Sequence, residues 1–200
     1  MNAKERIIAT AGKLFFERGY VNVLMAEIAR EAGMSKKTLY QHFAGKEELV
    51  QEVIRAYQHE LQNTVEQLIN NPAIPFPEKA SLIFKHVANR LQDINPQFIE
   101  DIKQISPQSW KLVHDYKTDA AYLRFSRLLE EGAQLGYLRE DINRSLAVVL
   151  YASALDAVVN PAFMRQVPEQ LSKELPYNPD AILDGLVKII FKGVLNCDNH

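Results

Sequence analysis

Cysteine, phosphate-binding glycine loops and long apolar runs are scarce in this sequence, and each scarcity excludes a class of protein. The only cysteine, Cys197, allows neither an internal disulfide nor zinc-finger spacing, and it favours a reducing compartment. The 8 glycines form neither a dinucleotide-binding motif nor a Walker loop. No stretch approaches the roughly 18 apolar residues of a membrane span. The N-terminal apolar run breaks at Lys13, too early for a secretory signal. We therefore expect a cytoplasmic protein without a membrane segment.

Catalytic patterns are also missing. None of the 5 histidines follows a glutamate at the spacing found in di-iron helical bundles. Cys197 lies close to the end of the sequence, which is a poor place for a catalytic nucleophile. The sequence therefore predicts no enzyme activity, no metal site and no cofactor.

The composition is that of an ordinary globular protein, but the charge is unevenly distributed. Of the 200 residues, 47% are hydrophobic and 24% are charged, and the formal net charge is -2, which argues against disorder. Residues 1–50 hold eight Lys or Arg and six acidic residues, whereas residues 51–200 hold fifteen and nineteen. A mildly basic N-terminal region therefore precedes an acidic body.

Apolar residues recur at spacings of three and four along almost the whole chain, which predicts an all-α fold of about nine helices. Asn95-Pro96, Ser106-Pro107 and Asn178-Pro179 each place a capping side chain before a proline, and they mark three helix starts. We expect one domain at residues 1–48 and a second at 49–200, coupled by the fourth helix. The predicted helices cover about residues 4–18, 25–32, 36–42, 46–69, 77–93, 96–105, 107–135, 143–160 and 179–196.

Residues 27–43 have the layout of a helix-turn-helix motif. Gly33 suits a tight turn between two short helices, Ser35 is placed to cap the second, and Ala29 is small enough for a close helix crossing. The residues able to pack inward are Ile28, Leu39 and Phe43. The second helix would fit a major groove about 12 Å wide. Its outward polar residues are Lys36, Lys37, Thr38, Tyr40, Gln41 and His42.

Further residues extend this motif into an ordered run between positions 7 and 50. They are Phe15-Phe16, Gly19-Tyr20, Ile28-Ala29, Ala32-Gly33, Ser35-Lys36, Thr38-Leu39-Tyr40, His42-Phe43, Lys46-Glu47 and Leu49. The run resembles the DNA-binding region of the TetR family of bacterial transcriptional regulators, and residues 128–142, LLEEGAQLGYLREDI, resemble a segment frequent in that family. The resemblance implies a three-helix N-terminal DNA-binding domain, a C-terminal domain that dimerises, and a small-molecule pocket.

The resemblance also implies roles for individual residues. The positions it matches to DNA contacts are Ser35, Lys36, Lys37 and Thr38 at the start of the recognition helix, Tyr40 and His42 further along, and Lys46 at the start of the fourth helix. Lysines near helix N-termini lie beside N–H groups that attract phosphate, and Tyr and His can donate to phosphate oxygens. We therefore predict that these side chains bind an operator in double-stranded DNA.

Two departures from the family pattern bear on DNA affinity. Val23-Leu24-Met25 stands where the family commonly has Thr or Ser, so a hydroxyl cap is missing and Asn22 is expected to cap the second helix instead. Lys37 stands where family members often have glycine, and it could read a guanine edge or bind a phosphate.

Two later segments, residues 146–159 and 182–195, are apolar on nearly every side. Such helices are either buried in the monomer core or covered by a second subunit. The resemblance favours a homodimer through the helices near 143–160 and 179–196. Asp156 lies within the first apolar segment and needs a polar partner.

The middle helices carry an aromatic stripe that would suit a hydrophobic or aromatic effector, although an ordinary helical core has the same pattern. The predicted effector contacts are Trp110, His114 and Tyr122, and a cationic effector would instead use Glu100, Asp101 or Asp156. The favoured interpretation is a ligand-responsive homodimeric repressor on a palindromic operator. The alternative is a helical adaptor whose helix-turn-helix binds protein.

Overall fold

A computed structural model describes residues 2–159, 165–176 and 179–195, and these residues are helical almost throughout. The predicted all-α class is confirmed, since the described residues form only an isolated bridge between Leu138 and Leu195 besides their helices. The helices are α1 (Ala3–Arg18), α2 (Met25–Glu31), α3 (Lys36–His42), α4 (Lys46–Ile69), α5 (Phe76–Gln92), α6 (Pro96–Ile105), α7 (Pro107–Asp119), α8 (Ser126–Gln134), α9 (Arg144–Val159), α10 (Glu169–Ser172) and α11 (Pro179–Val194).

A π-helical segment, Ala120–Phe125, joins α7 to α8 where the sequence predicted one continuous helix. Two predicted caps are confirmed, because the Asn95 side chain accepts from the backbone N–H of Gln97 at 2.9 Å and the Ser106 hydroxyl accepts from that of Ser109 at 3.3 Å. The third predicted cap, Asn178, lies outside the described residues, as does Cys197.

The chain divides into two compact units, which we call the head and the body. The head comprises residues 1–61 and 93–114, and the body comprises residues 62–92 and 115–200. Helix α6 and the first half of α7 therefore pack with the N-terminal helices. The functional boundary at residue 48 stays a prediction.

The head core is formed where α1, α2, α3, α4 and α6 meet. Its fully buried side chains include Ile7, Phe15, Ile28, Leu39, Leu49 and Ile102. Phe98 of α6 packs edge-on against Phe16, with 5.0 Å between ring centres. Asn95 donates its backbone N–H to the Phe16 carbonyl at 2.9 Å and its side-chain amide to the Glu17 carbonyl at 3.0 Å, so it satisfies the last carbonyls of α1.

The body core is an aromatic cluster with a buried cation beside it. Its rings are Phe84, Phe125, Tyr151 and Phe191, with centres 4.2 to 6.3 Å apart. Lys79 is 2% exposed, and its ammonium donates to the Ile69 carbonyl at the end of α4 and to the Glu131 carboxylate. This cation therefore has its hydrogen bonds made within the protein.

Candidate nucleic-acid interface

The turn between α2 and α3 has the geometry that the sequence predicted. Gly33 has a φ of 65°, in the left-handed region that favours glycine, and the Met34 N–H donates to the Ala29 carbonyl at 2.9 Å. Ser35 caps α3, because its hydroxyl oxygen accepts from the backbone N–H of Thr38 at 3.0 Å. The turn and cap together fix where α3 begins and which way it faces.

Helix α3 has one buried face and one exposed polar face. Leu39 is buried in the head core, and Phe43 is buried just beyond the helix end. The exposed side chains are Lys36, Lys37, Tyr40, Gln41 and His42, and Tyr40 is 52% exposed. Neither Lys36 nor Lys37 pairs with a carboxylate in the described part of the chain, so both ammonium groups are available to phosphate or base edges.

Ser35 and Thr38 are placed differently from the lysines. Their hydroxyl oxygens lie 2.9 Å apart and share a hydrogen bond at the start of α3, and Thr38 is half-buried. Both side chains therefore shape the helix start, and their contact with DNA stays a prediction.

Lys46 lies at the start of α4 but turns back toward the head. Its ammonium donates to the Val21 carbonyl at 3.3 Å and lies 4.4 Å from the centre of the Tyr20 ring. Burial lowers the pKa of Lys46 below its usual value, and the Asp101 carboxylate partly opposes this shift. The structure thus gives Lys46 a role in holding the loop between α1 and α2, and its phosphate contact stays a prediction.

The expectation that Asn22 caps α2 is wrong. The cap position belongs to Leu24, which makes no side-chain capping bond. The Asn22 amide instead donates to the Arg18 carbonyl at 3.1 Å, where the end of α1 offers an acceptor without a helical partner. The second helix therefore starts without the hydroxyl cap that the family pattern supplies.

Two acidic side chains, Asp101 and Glu47, stabilise this interface through hydrogen bonds that the sequence analysis did not predict. Asp101, buried on α6, accepts from the Val21 backbone N–H at 2.8 Å and from the Gln97 amide at 2.7 Å. Glu47 accepts from the hydroxyls of Ser106, Ser109 and Tyr20 at 2.5, 3.2 and 3.4 Å. Val21 lies 80 positions from Asp101, and Ser106 and Ser109 lie 59 and 62 positions from Glu47, so local spacing could not have indicated these bonds.

The hydrogen bonds of Glu47 set its charge. Burial alone would raise the pKa of this carboxyl, but the donors from Ser106, Gln51, Ser109 and Tyr20 outweigh burial and hold the pKa below its usual value. Burial, assisted by Glu47, raises the pKa of Tyr20 to about 12. At neutral pH a carboxylate therefore accepts from a neutral phenol at the junction of α4 with α6 and α7.

The predicted effector contacts are distributed over both units. Trp110 packs half-buried against the head core with the Lys103 ammonium 5.6 Å from its ring centre, and His114 is exposed at the end of the head. Tyr122 is exposed in the body. Asp156 has the polar partner it needs, because it pairs with Lys117. The effector roles of these residues stay predictions.

The all-α fold and an α3 with one buried face and one exposed polar face define a helix-turn-helix DNA-binding protein. Residues 7–53, within α1 to α4, match the family model described as bacterial regulatory proteins, tetR family. The chain is 22% identical to an uncharacterised HTH-type transcriptional regulator, YvaF, of Bacillus subtilis strain 168 over 190 residues, which are 95% of this chain and 94% of that protein. It is 24% identical to the HTH-type transcriptional repressor KstR2 of Mycolicibacterium smegmatis, with 72% and 71% covered.

A solved structure with a similar fold is SmeT, the repressor of the Stenotrophomonas maltophilia multidrug efflux pump SmeDEF. Its TM-score is 0.70 at 17% identity, and the match covers 98% of this chain and 91% of that chain. Residues 7–53 are a DNA-binding region of the tetR family of bacterial regulatory proteins, and the protein is a DNA-binding transcriptional regulator. This confirms the resemblance, and the adaptor alternative is not favoured because the matched proteins are transcriptional regulators rather than adaptors or enzymes. In the described part of the chain, no helix is long and apolar enough to cross a membrane.

Proposed function

We propose that the protein is an effector-responsive homodimeric repressor that places α3 of each protomer in a major groove of a palindromic operator. The observation that carries this proposal is α3 itself, whose Leu39 side is buried while Lys36, Lys37 and Tyr40 stand on the exposed side. In a dimer, two such helices meet successive grooves about 34 to 36 Å apart. Binding to chromosomal DNA would place the protein in the bacterial cytoplasm.

The dimer is supported by an exposed apolar face on α9. Leu146, Val149 and Leu150 are 62%, 48% and 58% exposed, and their spacing of three and four residues puts them on one side of the helix. Ile189 of α11 is also exposed. Exposure of these apolar side chains to water is unfavourable, and a second protomer related by C2 symmetry would bury them.

Repression and effector response form the second part of the proposal. Two similar proteins, KstR2 and SmeT, are named repressors, which supports a repressor here. Helices α4 and α7 each run from one compact unit into the other, so a change in the body has a covalent route to the head. Effector binding would favour a state in which α4 has moved and the two α3 helices no longer fit the operator. A coupling of about 1 to 3 kcal/mol is enough.

The experiment is selection of binding sites from random double-stranded DNA, followed by fluorescence anisotropy over a salt series. We expect a palindrome to be enriched and its affinity to fall steeply with salt, because each phosphate contact releases counterions. Lys46→Ala should weaken binding to all sequences and flatten the salt slope by about one unit, whereas Lys37→Ala should change sequence preference only if Lys37 reads a base.

The matched control is Lys85→Ala, which removes an exposed lysine of α5 in the body and should leave both affinity and slope unchanged. Binding that does not depend on salt, or selection without an enriched sequence, would contradict the proposal and support the adaptor. Equal, sequence-independent losses from Lys37→Ala and Lys46→Ala would remove Lys37 from specificity.

A further inference from the structure

Arg124 is a cation on the buried side of the π-helical segment. It is 8% exposed, and the neighbouring buried positions along the same stripe are Ala121, Phe125 and Leu128. Arginine is rarely buried this deeply unless it is paired. Segments of π-helix occur frequently at functional sites, because the wider turn redirects the side chains that follow it.

The contacts of Arg124 within the protein are weak for so buried a cation. One guanidinium nitrogen donates to the Tyr116 carbonyl at 3.5 Å, and the guanidinium carbon lies 4.8 Å from the centre of the Tyr116 ring. That hydrogen bond is at the upper limit of useful length, and a guanidinium offers five donors. No carboxylate pairs with Arg124 among the residues that the structure describes.

Glu66 is the carboxylate that could serve as a counter-ion to Arg124, but it already pairs with Arg127. Glu66 lies close enough to raise the pKa of the Tyr116 phenol, but its two oxygens accept from Arg127 at 2.8 and 3.1 Å. Asn70 donates to the same carboxylate at 3.3 Å. Glu66 therefore neutralises an exposed arginine rather than the buried one.

Lys79 shows how this body satisfies a buried cation that has only a structural role. Its ammonium has a carboxylate at 2.6 Å and a carbonyl at 3.0 Å, both from the protein. Arg124, in the same unit, has neither contact at such a distance. The other guanidinium nitrogens of Arg124 are not among the fully buried polar atoms that lack a partner, so they are open to a group from outside the chain.

The groups around Arg124 are aromatic and neutral. Burial raises the pKa of Tyr116 to about 12, and it raises that of Tyr151 still further, with Arg124 partly opposing both shifts. Both phenols are therefore protonated at neutral pH and cannot neutralise the arginine. The Tyr151 ring also packs on Phe125 and Phe84. This setting favours a molecule that is mostly apolar and carries one negative group.

We infer that Arg124 anchors the effector, and that its guanidinium binds the oxyanion of an otherwise apolar molecule, a carboxylate or a phosphate monoester. This inference rests on the proposed effector response. It disfavours the cationic effector considered from the sequence, because all three acidic candidates have partners within the protein. Glu100 accepts from Gln104, Asp101 accepts from Val21 and Gln97, and Asp156 is paired with Lys117. Guanidinium matches both oxyanions through two parallel hydrogen bonds.

The test is calorimetric titration of the full-length protein with molecules that share one alkyl chain. The probes are dodecanoate, dodecyl phosphate, dodecanol and dodecyltrimethylammonium, all below their micelle concentrations. We expect at least one of the two anions to bind about tenfold or more tightly than dodecanol, and the cation to bind more weakly than dodecanol. The ratio of the two anions identifies which oxyanion the site prefers.

Arg124→Gln should reduce the preference for the anion to about twofold or less, whereas Arg144→Gln, which removes an exposed arginine at the start of α9, should leave it unchanged. Equal binding of anion and alcohol by the unaltered protein would overturn the inference, as would an anion preference that survives Arg124→Gln. If that variant does not fold, two further measurements test the inference. The first is the anion preference of Arg124→Lys. The second is hydrogen exchange of the unaltered protein, in which dodecanoate or dodecyl phosphate should protect the backbone around residues 116–128.

Operator release is measured separately. These titrations contain no DNA, so an anion that binds at Arg124 without changing operator affinity would contradict the proposed effector response while leaving the anion site intact.

Discussion

The head and the body differ in the hydrogen bonds that their buried charged side chains make. In the head, Asp101 accepts from Val21, 80 positions away, and Glu47 accepts from Ser106 and Ser109, 59 and 62 positions away. In the body, Lys79 has a carboxylate and a carbonyl as partners, whereas Arg124 has one long hydrogen bond and a ring contact, both with Tyr116. Charges with several protein partners fix one geometry, as an interface that must fit DNA requires, whereas a cation with few protein contacts leaves part of its binding capacity for a ligand.

The two units also differ in what they expose. Helix α3 of the head shows polar side chains, whereas α9 of the body shows Leu146, Val149 and Leu150. A polar surface suits reversible binding to DNA, and an apolar surface suits a permanent partner. The difference supports the proposed roles, in which the head recognises DNA and the body forms the dimer.

The largest effect is expected from Leu150→Asp on the apolar face of α9. A carboxylate in a dimer interface would lose its water without gaining a partner, so the dimer dissociation constant should rise about 100-fold or more. Sedimentation equilibrium measures this constant. Leu135→Asp, which changes a similarly exposed leucine just after α8, should leave the dimer intact. Equal effects from both variants would contradict an interface on α9.

The next largest effect is expected from Lys79→Met. This substitution removes the donor to Ile69 and Glu131 without removing the acceptors. Glu131 is 31% exposed at its side chain and can recover some hydration, so we expect a loss of about 2 to 3 kcal/mol rather than the full penalty of a broken buried pair. Urea unfolding followed by circular dichroism measures the loss. Lys85→Met, at an exposed position of the same helix, should change the unfolding free energy by about 0.5 kcal/mol or less.

A pair of glycine substitutions compares packing in the two units. A Cβ at Gly132 would lie 2.3 Å from the Phe76 ring, whereas one at Gly12 would lie at an ordinary 3.4 Å from Val53. Gly132→Ala should therefore destabilise the protein by about 1 to 2 kcal/mol. Gly12→Ala should stabilise it by up to about 1 kcal/mol, because alanine loses less backbone entropy in a helix.

Thermal unfolding of both glycine variants gives these signs directly. Trp110, the single tryptophan, belongs to the head, so its fluorescence follows that unit, while circular dichroism follows all helices. A Gly132→Ala variant that is as stable as the unaltered protein would show that the Phe76 ring moves freely. It would contradict the claim that this part of the body is tightly packed.

The smallest effect is a pH dependence centred on Glu47. Its pKa is lowered in the folded state, so the stabilisation is complete above the unfolded value of about 4.3 and is lost as the pH falls through the lower folded value. Glu47→Gln should cost about 1 kcal/mol at pH 7, and this difference should shrink in acid. Trp110 fluorescence during urea unfolding measures it. Glu17→Gln, at an exposed position, is the control, and a constant difference between pH 7 and pH 3 would contradict the account.

Local rules predicted the parts of the site that depend on neighbouring residues. Ser35 and Gly33 fix the start of α3 through bonds and angles within a few residues, so their roles were readable from spacing. Asn22 shows the limit of such rules, because its side chain could bond to the start of α2 or to the end of α1. In the structure it donates to the Arg18 carbonyl at the end of α1. Glu47 reaches Ser106 across 59 positions of chain, and no periodicity relates the two.

Arg124 combines both cases. The sequence places Ala121, Arg124 and Leu128 at spacings of three and four residues, which are those of one helix face. That no carboxylate in the described part of the chain meets it was not visible, because any of the body's acidic residues could have been folded against it.

By itself the sequence determined the all-α class, the bounds of most helices and the polar face of α3, because these follow from caps, turns and the 3.6-residue period. Only the tertiary structure decided that α6 packs with the head, that Asp101 and Glu47 hold it there, and that Arg124 is buried without a carboxylate. Those outcomes depend on contacts between distant segments, where desolvation and geometry select one partner among many chemically equal ones.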